Sequence, residues 1–327
     1  MISVVIPAYN SEKTIASTIK ALLKQNYPKN KYEIIVVDDG STDKTIEVAS
    51  KFPIKIIKLK HKGPANARNV GAKRSKGSII LFTDADCVPD KNWIRNMVEP
   101  FKDSKIVGVS GTYKTLNSDK LIARFAGYEI EHRHQKMKKQ RYVDFIGTFS
   151  AGYRRNIFLK FKGFDTRFKT SSGEDPEFSY RMAKAGFKMI FQKKAFVRHL
   201  HPDTIWKYLK QKYYRAFWRN FMYWEKHKDK ILSDSYTGKM LFPQIFLSGM
   251  LSLLISSLIF FNYLKLSSIW SVPLLILLIA ILFNLDFITF LYKKEKKIAL
   301  LSPFILSIRN IVVVFGILVG VVKFLTV

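Results

Sequence analysis

After residue 240 the chain is dominated by three apolar runs, Leu241 to Leu264, Ile269 to Tyr292 and Ala299 to Val327. Each is about 24 to 29 residues long, and a helix needs about 20 residues to cross a hydrocarbon core. None carries more than a charge or two, so three transmembrane helices are expected rather than buried helices of a soluble protein. Pro243, Pro273 and Pro303 lie near the starts of the runs, where proline does least damage to a helix. The loop Lys293-Lys294-Glu295-Lys296-Lys297 is basic, whereas the loop before the second run carries only Lys265. The positive-inside rule then predicts a multi-pass protein of the cell membrane, with everything before residue 240 cytoplasmic and the C-terminus outside. Met1 to Pro7 has no basic leader and only a short apolar stretch, so no cleavable signal peptide is expected.

The net charge of +30 implies an anionic partner, either nucleic acid or a membrane surface with phosphate-bearing substrates. Three spans favour the membrane lipids, and no nucleic-acid partner is expected. A hydrophobic content of 48% excludes intrinsic disorder, and a single cysteine excludes a disulfide scaffold.

The first 110 residues follow a different pattern. Short β-branched runs at 3–6, 33–37, 54–57 and 78–82 alternate with helical patterns at 11–26, 43–51, 64–76 and 90–102. Ser11 is a plausible N-cap for the first helix, and Gly40 and Gly77 punctuate element ends. Buried strands alternating with helices predict an α/β fold with a mostly parallel sheet and helices on both faces. Ligands of such sheets sit beyond the carboxyl ends of the strands, so the residues following each strand carry the chemistry.

No Gly-x-Gly-x-x-Gly follows the first strand and no P-loop occurs anywhere, which counts against a dinucleotide-dependent oxidoreductase or a P-loop NTPase. Instead Pro7-Ala8-Tyr9-Asn10 follows the first strand, Asp38-Asp39-Gly40-Ser41-Thr42-Asp43 the second, and Thr83-Asp84-Ala85-Asp86 the run at 78–82. Asp84 and Asp86 are i and i+2, so in extended chain they converge on one cation. Paired carboxylates with open positions suit Mg²⁺ or Mn²⁺ held jointly with a diphosphate. Acidic turns often just cap helices, but three at successive strand ends favour a site.

These motifs, with Ala67-Arg68-Asn69-x-Gly71 and Gly173-Glu174-Asp175, occur in the order seen in family 2 glycosyltransferases, which the chain resembles over about residues 1–202. The resemblance implies a GT-A-type fold and an inverting, nucleotide-sugar-dependent enzyme. It implies that Pro7, Ala8, Tyr9, Asn10 and Asp39 hold the base and ribose of a UDP- or GDP-linked sugar. By the same resemblance Arg68 lies near the base or diphosphate, Asp84 supports ribose or metal, Asp86 ligates the metal, and Asp175 is the catalytic base. Direct displacement at an anomeric carbon needs such a base to take the acceptor proton. Glu174, beside Asp175, is a weaker candidate for the acceptor or diphosphate. In related enzymes a histidine near 199 helps hold the metal or diphosphate, and His199 is favoured over His201. Cys87 is read as a packing residue.

Within 203–230, Trp206, Leu209, Tyr213, Phe217, Phe221 and Trp224 recur every three or four residues and are flanked by Lys207, Lys210, Lys212, Arg215 and Arg219. A basic helix with an aromatic stripe, directly before a span, reads as a helix lying in the headgroup layer. Processive polysaccharide synthases carry Gln-x-x-Arg-Trp on such a helix. Here Gln211 and Arg215, possible contacts of acceptor or diphosphate, have a different spacing to each other and to Trp218. The segment 120–141 reads as a second basic surface helix.

The expected organisation is a GT-A-like catalytic domain at 1–202, an interfacial segment at 203–240 and a membrane domain at 241–327. The expected activity is a single sugar transfer to a lipid-linked acceptor such as a polyprenyl phosphate, a lipid-linked oligosaccharide or a glycolipid. A processive polysaccharide synthase is the alternative enzyme, and a non-catalytic basic scaffold or nucleic-acid binder the alternative of another class. Asp286 and Arg309, about 9 Å and about 15 Å into adjacent antiparallel spans, are expected to pair. The alternative is that Arg309 faces a lipid phosphate.

Overall fold

The computed structural model describes residues 1–168, 173–225 and 281–325, with a few positions between 226 and 280. The chain divides into two compact units, Met1–Leu116 with His134–Leu200, and Asn117–Arg133 with His201–Val327.

The first unit is built on an eight-stranded sheet. Its first strands are β1 (Ile2–Ala8), β2 (Tyr32–Asp38), β3 (Lys55–Lys58) and β4 (Ile79–Phe82). They lie parallel in the order β3-β2-β1-β4, as strand–helix–strand repeats require. Every residue of β1 is buried, because neighbours cover both its edges and helices cover both its faces. The connecting helices α1 (Ile15–Leu23), α2 (Thr45–Ala49), α3 (Pro64–Arg74) and α4 (Trp93–Val98) are shorter than their sequence patterns. Ser11 does not cap α1; Thr14 precedes the first helical residue. The Ser11 amide instead donates to Thr45 Oγ1 at 2.6 Å, which ties the loop after β1 to α2. Helix α3 lies against β1 and β2 where Gly71 stands, since a Cβ there would sit 2.3 Å from Val5 Cγ1.

The sheet is mixed beyond β4. β7 (Ala151–Arg154) runs antiparallel to β4 and to β6 (Ile106–Thr115); β8 (Lys188–His199) is parallel to β6, and β5 (Cys87–Pro89) closes the order antiparallel to β8. The unbroken run of parallel neighbours ends at β4, where antiparallel β7 joins. A cluster of aromatic rings, Phe82, Tyr153, Phe158, Phe164 and Phe178, packs one face, with Phe158 and Phe178 centroids 5.0 Å apart. It joins β4 and β7 to α6 (Arg155–Lys160) and α7 (Glu174–Lys184).

The second unit contains α5 (Leu121–Met137) as far as Arg133, α8 (Ile205–Glu225), α9 (Leu285–Lys294) and α10 (Lys296–Leu325). Phe125, Tyr208, Phe287, Leu291, Ile298 and Leu306 form its apolar core. Most of the expected span 241–264 and the first part of 269–292 lie outside the described residues. Among those described, α10 alone is long and apolar enough to cross a membrane. It begins at Lys296, so Pro303 lies inside the helix rather than near its start. Proline cannot supply the N–H that the Ala299 carbonyl would accept; the Ser302 hydroxyl donates to that oxygen at 2.7 Å instead. Leu300, Phe304, Ile308, Phe315, Leu318 and Val322 leave one apolar stripe exposed along the helix.

The opposite face is polar and buried. Arg309 donates to Glu129 Oε1 at 2.7 Å and to Asn310 Oδ1. Asp286 is therefore not its partner: that carboxylate, 53% exposed, lies 3.7 Å from His132 Nε2. Similar depth did not bring the pair together, because helix rotation aims Arg309 at α5. Glu129 also accepts from Lys212 Nζ at 2.6 Å and from the Tyr208 hydroxyl at 2.9 Å. Burial alone would raise the Glu129 carboxyl, but Lys212, Arg309 and Arg133 outweigh it and hold it far below the ordinary carboxylate range.

Two helices read as surface elements carry buried contacts. The buried side of α8 carries Tyr208, Leu209 and Ala216, while Trp206 is 73% exposed. In α5, Arg124 grips both oxygens of Glu295 at 2.9 and 3.0 Å, which anchors the single-residue joint between α9 and α10.

Candidate functional site

All the residues that gather at one end of the sheet belong to the first unit. The loops after β1 and β2 are stitched together. Asn10, at φ +47°, accepts from the Thr42 amide at 2.9 Å, and its own amide donates to Ser41 Oγ at 2.9 Å. Asp38 accepts from the amides of Gly40 and Ser41, which holds the second loop in its turn. Asp39 is buried and accepts from the amides of Lys62 and Gly63 at 3.0 and 2.8 Å, so it also shapes the loop after β3. Gly63, at φ +97°, turns that loop into α3 in a conformation other residues resist.

His61 went unread in the sequence. Its ring stacks on Tyr9 with centroids 4.2 Å apart, and its Nδ1 lies 3.0 Å from Asp39 Oδ2. The signal was available, since Leu59 to Gly63 follows a strand end as the other site loops do.

Asp84 and Asp86 follow β4, yet they do not act as an equal pair. Asp84 Oδ1 accepts from Arg68 Nη2 at 2.7 Å. Asp86 Oδ2 lies 3.6 Å from His199 Nε2, at the end of β8. Ligand atoms of Asp86, Cys87 and His199 all fall within 4.8 Å of one another. One oxygen and one imidazole nitrogen, each about 2.1 Å from an ion, would be separated by about 3 to 3.6 Å, so that pair fits a hard divalent cation. Cys87 does not join it: burial, then the Asp86 and Asp84 charges, push its thiol well up, and it remains a neutral core side chain. The protein crowded around Asp86 raises its carboxyl, His199 opposes the rise, and Asp84 adds to it. A cation would relieve that crowding of negative charge.

The first turn of α7 holds three carboxylates. Glu174 is buried on Arg68 Nη1 at 2.8 Å, and Glu177 is buried on Arg181 at 2.8 and 3.0 Å. Asp175, between them, is the one of the three that is only partly buried. Arg68, expected near base or diphosphate, is buried between Asp84 and Glu174. Burial by itself would lower its pKa; Asp84 and then Glu174 outweigh it and raise it. Gln211 and Arg215 lie on α8, and both belong with His201 to the second unit.

A mixed sheet with these loops at its strand ends, the Asp86–His199 pair and the partly buried Asp175 together match a GT-A-type fold. Residues 3–161 match the family model "Glycosyl transferase family 2". The chain is 31% identical over 240 residues to "Probable glycosyltransferase YdaM" of Bacillus subtilis, covering 69% of this chain and 54% of that protein. The chain thus spans about half the length of that relative. It is 26% identical, over 98% of its own length and 97% of the relative, to a Methanococcus voltae protein. That protein is named a dolichyl N-acetyl-alpha-D-glucosaminyl phosphate 3-beta-D-2,3-diacetamido-2,3-dideoxy-beta-D-glucuronosyltransferase. Among solved structures, the mannosyltransferase PcManGT of Pyrobaculum calidifontis, in complex with GDP-Man and Mn²⁺, shares the fold. Its TM-score is 0.62 at 18% identity, over 97% of this chain and 86% of that one. Residues 3–161 form a domain of glycosyltransferase family 2.

Proposed function

We propose that the protein is a membrane-anchored, inverting glycosyltransferase that moves one sugar from a UDP- or GDP-linked donor to a lipid-linked acceptor. The observation that carries the reading is Asp86 and His199 facing each other at the carboxyl end of the sheet, with Asp175 on the adjoining helix start. Pro7, Ala8, Tyr9, Asn10 and Asp39 form the nucleotide loops. Asp175 takes the proton of the acceptor hydroxyl as its oxygen bonds to the anomeric carbon from the face opposite the leaving group. The bond from that carbon to the diphosphate oxygen breaks, and the nucleoside diphosphate departs with the electron pair. Mg²⁺ or Mn²⁺, held by Asp86 and His199, would neutralise charge on that diphosphate.

The whole-length likeness to a transferase named for a dolichyl phosphate-linked acceptor supports a lipid-linked acceptor here. The exposed apolar stripe of α10 supports residence in a bilayer, and the basic segment 293–297 supports a cytoplasmic catalytic domain. On this reading residues 1–202 form the catalytic domain, 203–240 an interfacial segment and 241–327 three spans with the C-terminus outside. The test is purified protein with Mn²⁺, a panel of nucleotide sugars and detergent-extracted lipids, followed by mass analysis of the lipids. A lipid heavier by one hexose-type residue is expected, and it should vanish with chelator or Asp86→Asn. A ladder of many additions would mean polymer synthesis, and full turnover in excess chelator would overturn the metal role.

A further inference from the structure

Arg68 is the largest charged side chain sealed inside the catalytic unit, and both terminal nitrogens of its guanidinium are spent on protein carboxylates. We propose that Arg68 is a positioning residue that clamps the donor-side carboxylate Asp84 to the base-bearing start of α7 through Glu174, rather than a ligand of the nucleotide diphosphate. The inference rests on reading Asp175 as the base.

Four neighbouring residues of α3 share the task. Gly71 lets the helix sit against Val5 and Val37, where any side chain would collide, so the helix is a fixed base for what it carries. Ala67 is fully buried beside it. Asn69 donates to the Phe164 carbonyl at 2.7 Å and accepts from the Phe164 amide at 2.9 Å, pinning the chain that leads to α7. Arg68 then reaches Glu174, 106 positions along the chain, at 2.8 Å, and Asp84 at 2.7 Å. The other Glu174 oxygen accepts from the Gly173 amide, which fixes the residue immediately before the helix. The segment Ala67-Arg68-Asn69-x-Gly71 is thus a scaffold for the base.

Only a guanidinium suits this place. Its planar fork bonds two carboxylates in different directions at once, whereas an ammonium is a point charge on a flexible stem. Each end nitrogen gives one N–H to a carboxylate, and Nε is buried and without a partner among the described residues. Arg68 is 1% exposed, so a direct diphosphate contact would first have to uncover it.

The test uses the full chain in detergent, UDP and GDP with Mn²⁺ as binding probes, and the donor that the wild type turns over. Arg68→Gln and Glu174→Gln should each lower kcat by about 10²-fold, the scale of an ångström misplacement of a reacting group. Affinity for the Mn²⁺–nucleotide should stay within about threefold in both, because the interaction lost is realised only in the transition state. Combining the two changes should cost little more than either alone, since both break one clamp. Arg68→Lys should not rescue turnover. Nucleotide affinity weakened about tenfold or more in Arg68→Gln, with normal turnover in Glu174→Gln, would show a direct contact and overturn the clamp. Should Arg68→Gln fail to fold, wild-type kcat in Arg68→Lys or Glu174→Gln is enough to overturn it. Asp175→Asn is the control. Normal turnover there sinks the base assignment itself, whereas loss there with Arg68 and Glu174 variants unaffected sinks only the clamp.

Discussion

Asp175 differs from its two acidic neighbours by what surrounds it, and the difference sets what its removal should do. Glu174 and Glu177 are each buried on an arginine, while Asp175 keeps a partly open position on the first turn of α7. Asp175→Asn should bind Mn²⁺–nucleotide as the wild type does and turn over at least about 10²-fold more slowly, a general base's usual contribution. Isothermal titration beside steady-state kinetics checks this, and equal losses in both would make Asp175 structural. At this scale the sequence was informative where chemistry is local. Acidic turns after their own strands singled out Asp39 and Asp86, whereas Asp175 was singled out by the family resemblance. The partners of Arg68 lie 16 and 106 positions away, and no local pattern encodes them. Asp84 and Asp86 looked equivalent for the same reason, until a distant arginine took one of them.

Elements were legible in kind and less so in facing. The strands at 2–8, 32–38, 55–58 and 79–82 fall within a few residues of their β-branched runs, since buried parallel strands are apolar throughout. The antiparallel pairings of β7 and β5 were not anticipated, because β5 to β8 are not spaced by a regular helix repeat. In the second unit the side that α8 buries was misjudged, because a cation, Lys212, goes inward to meet Glu129. Removing one partner of such a buried cluster costs about 3–5 kcal/mol. Glu129→Gln should therefore lower the Tm in detergent clearly at neutral pH. Because the folded-state carboxyl is held down, its contribution is fully present above its unfolded value and is lost as pH falls through the folded one. Burial lowers Lys212 to about 7, and Glu129 opposes that fall. The Tm gap between wild type and variant should therefore widen as pH falls from about 8 to 5, where Lys212 charges, and narrow below about pH 4.3. A gap that keeps widening below that pH would contradict the assignment.

At the scale of the whole molecule, the proposed arrangement in the bilayer rests on charge. On that proposal 293–297 is cytoplasmic and residue 327 lies on the far side. In a Cys87→Ala background, Val327→Cys should react with an impermeant thiol reagent in sealed right-side-out vesicles and resist it in inverted ones. Labelling with the opposite preference would put residue 327 on the cytoplasmic side and overturn the proposed topology. The two ends of the chain were read from different signals, one from strand-and-turn order and one from hydropathy. The hydropathy signal alone said nothing of the polar inner side of α10, where Arg309 and Asn310 are buried.

Cys87, the single cysteine, sits fully buried one residue from Asp86. A thiol in that place reacts only when β5 lifts from its neighbours, so its modification rate is a clock for local opening. The wild-type chain therefore carries its own occupancy gauge, with no label to introduce. Anything that ties Asp86 to His199 across the β5–β8 pairing slows that clock. Donor nucleotide with Mn²⁺ should lengthen the half-time of reaction with a small disulfide reagent by about the factor 1 + [L]/Kd, and nucleotide with chelator should not. Titrating that half-time would return a binding constant from the untreated protein before any acceptor is known.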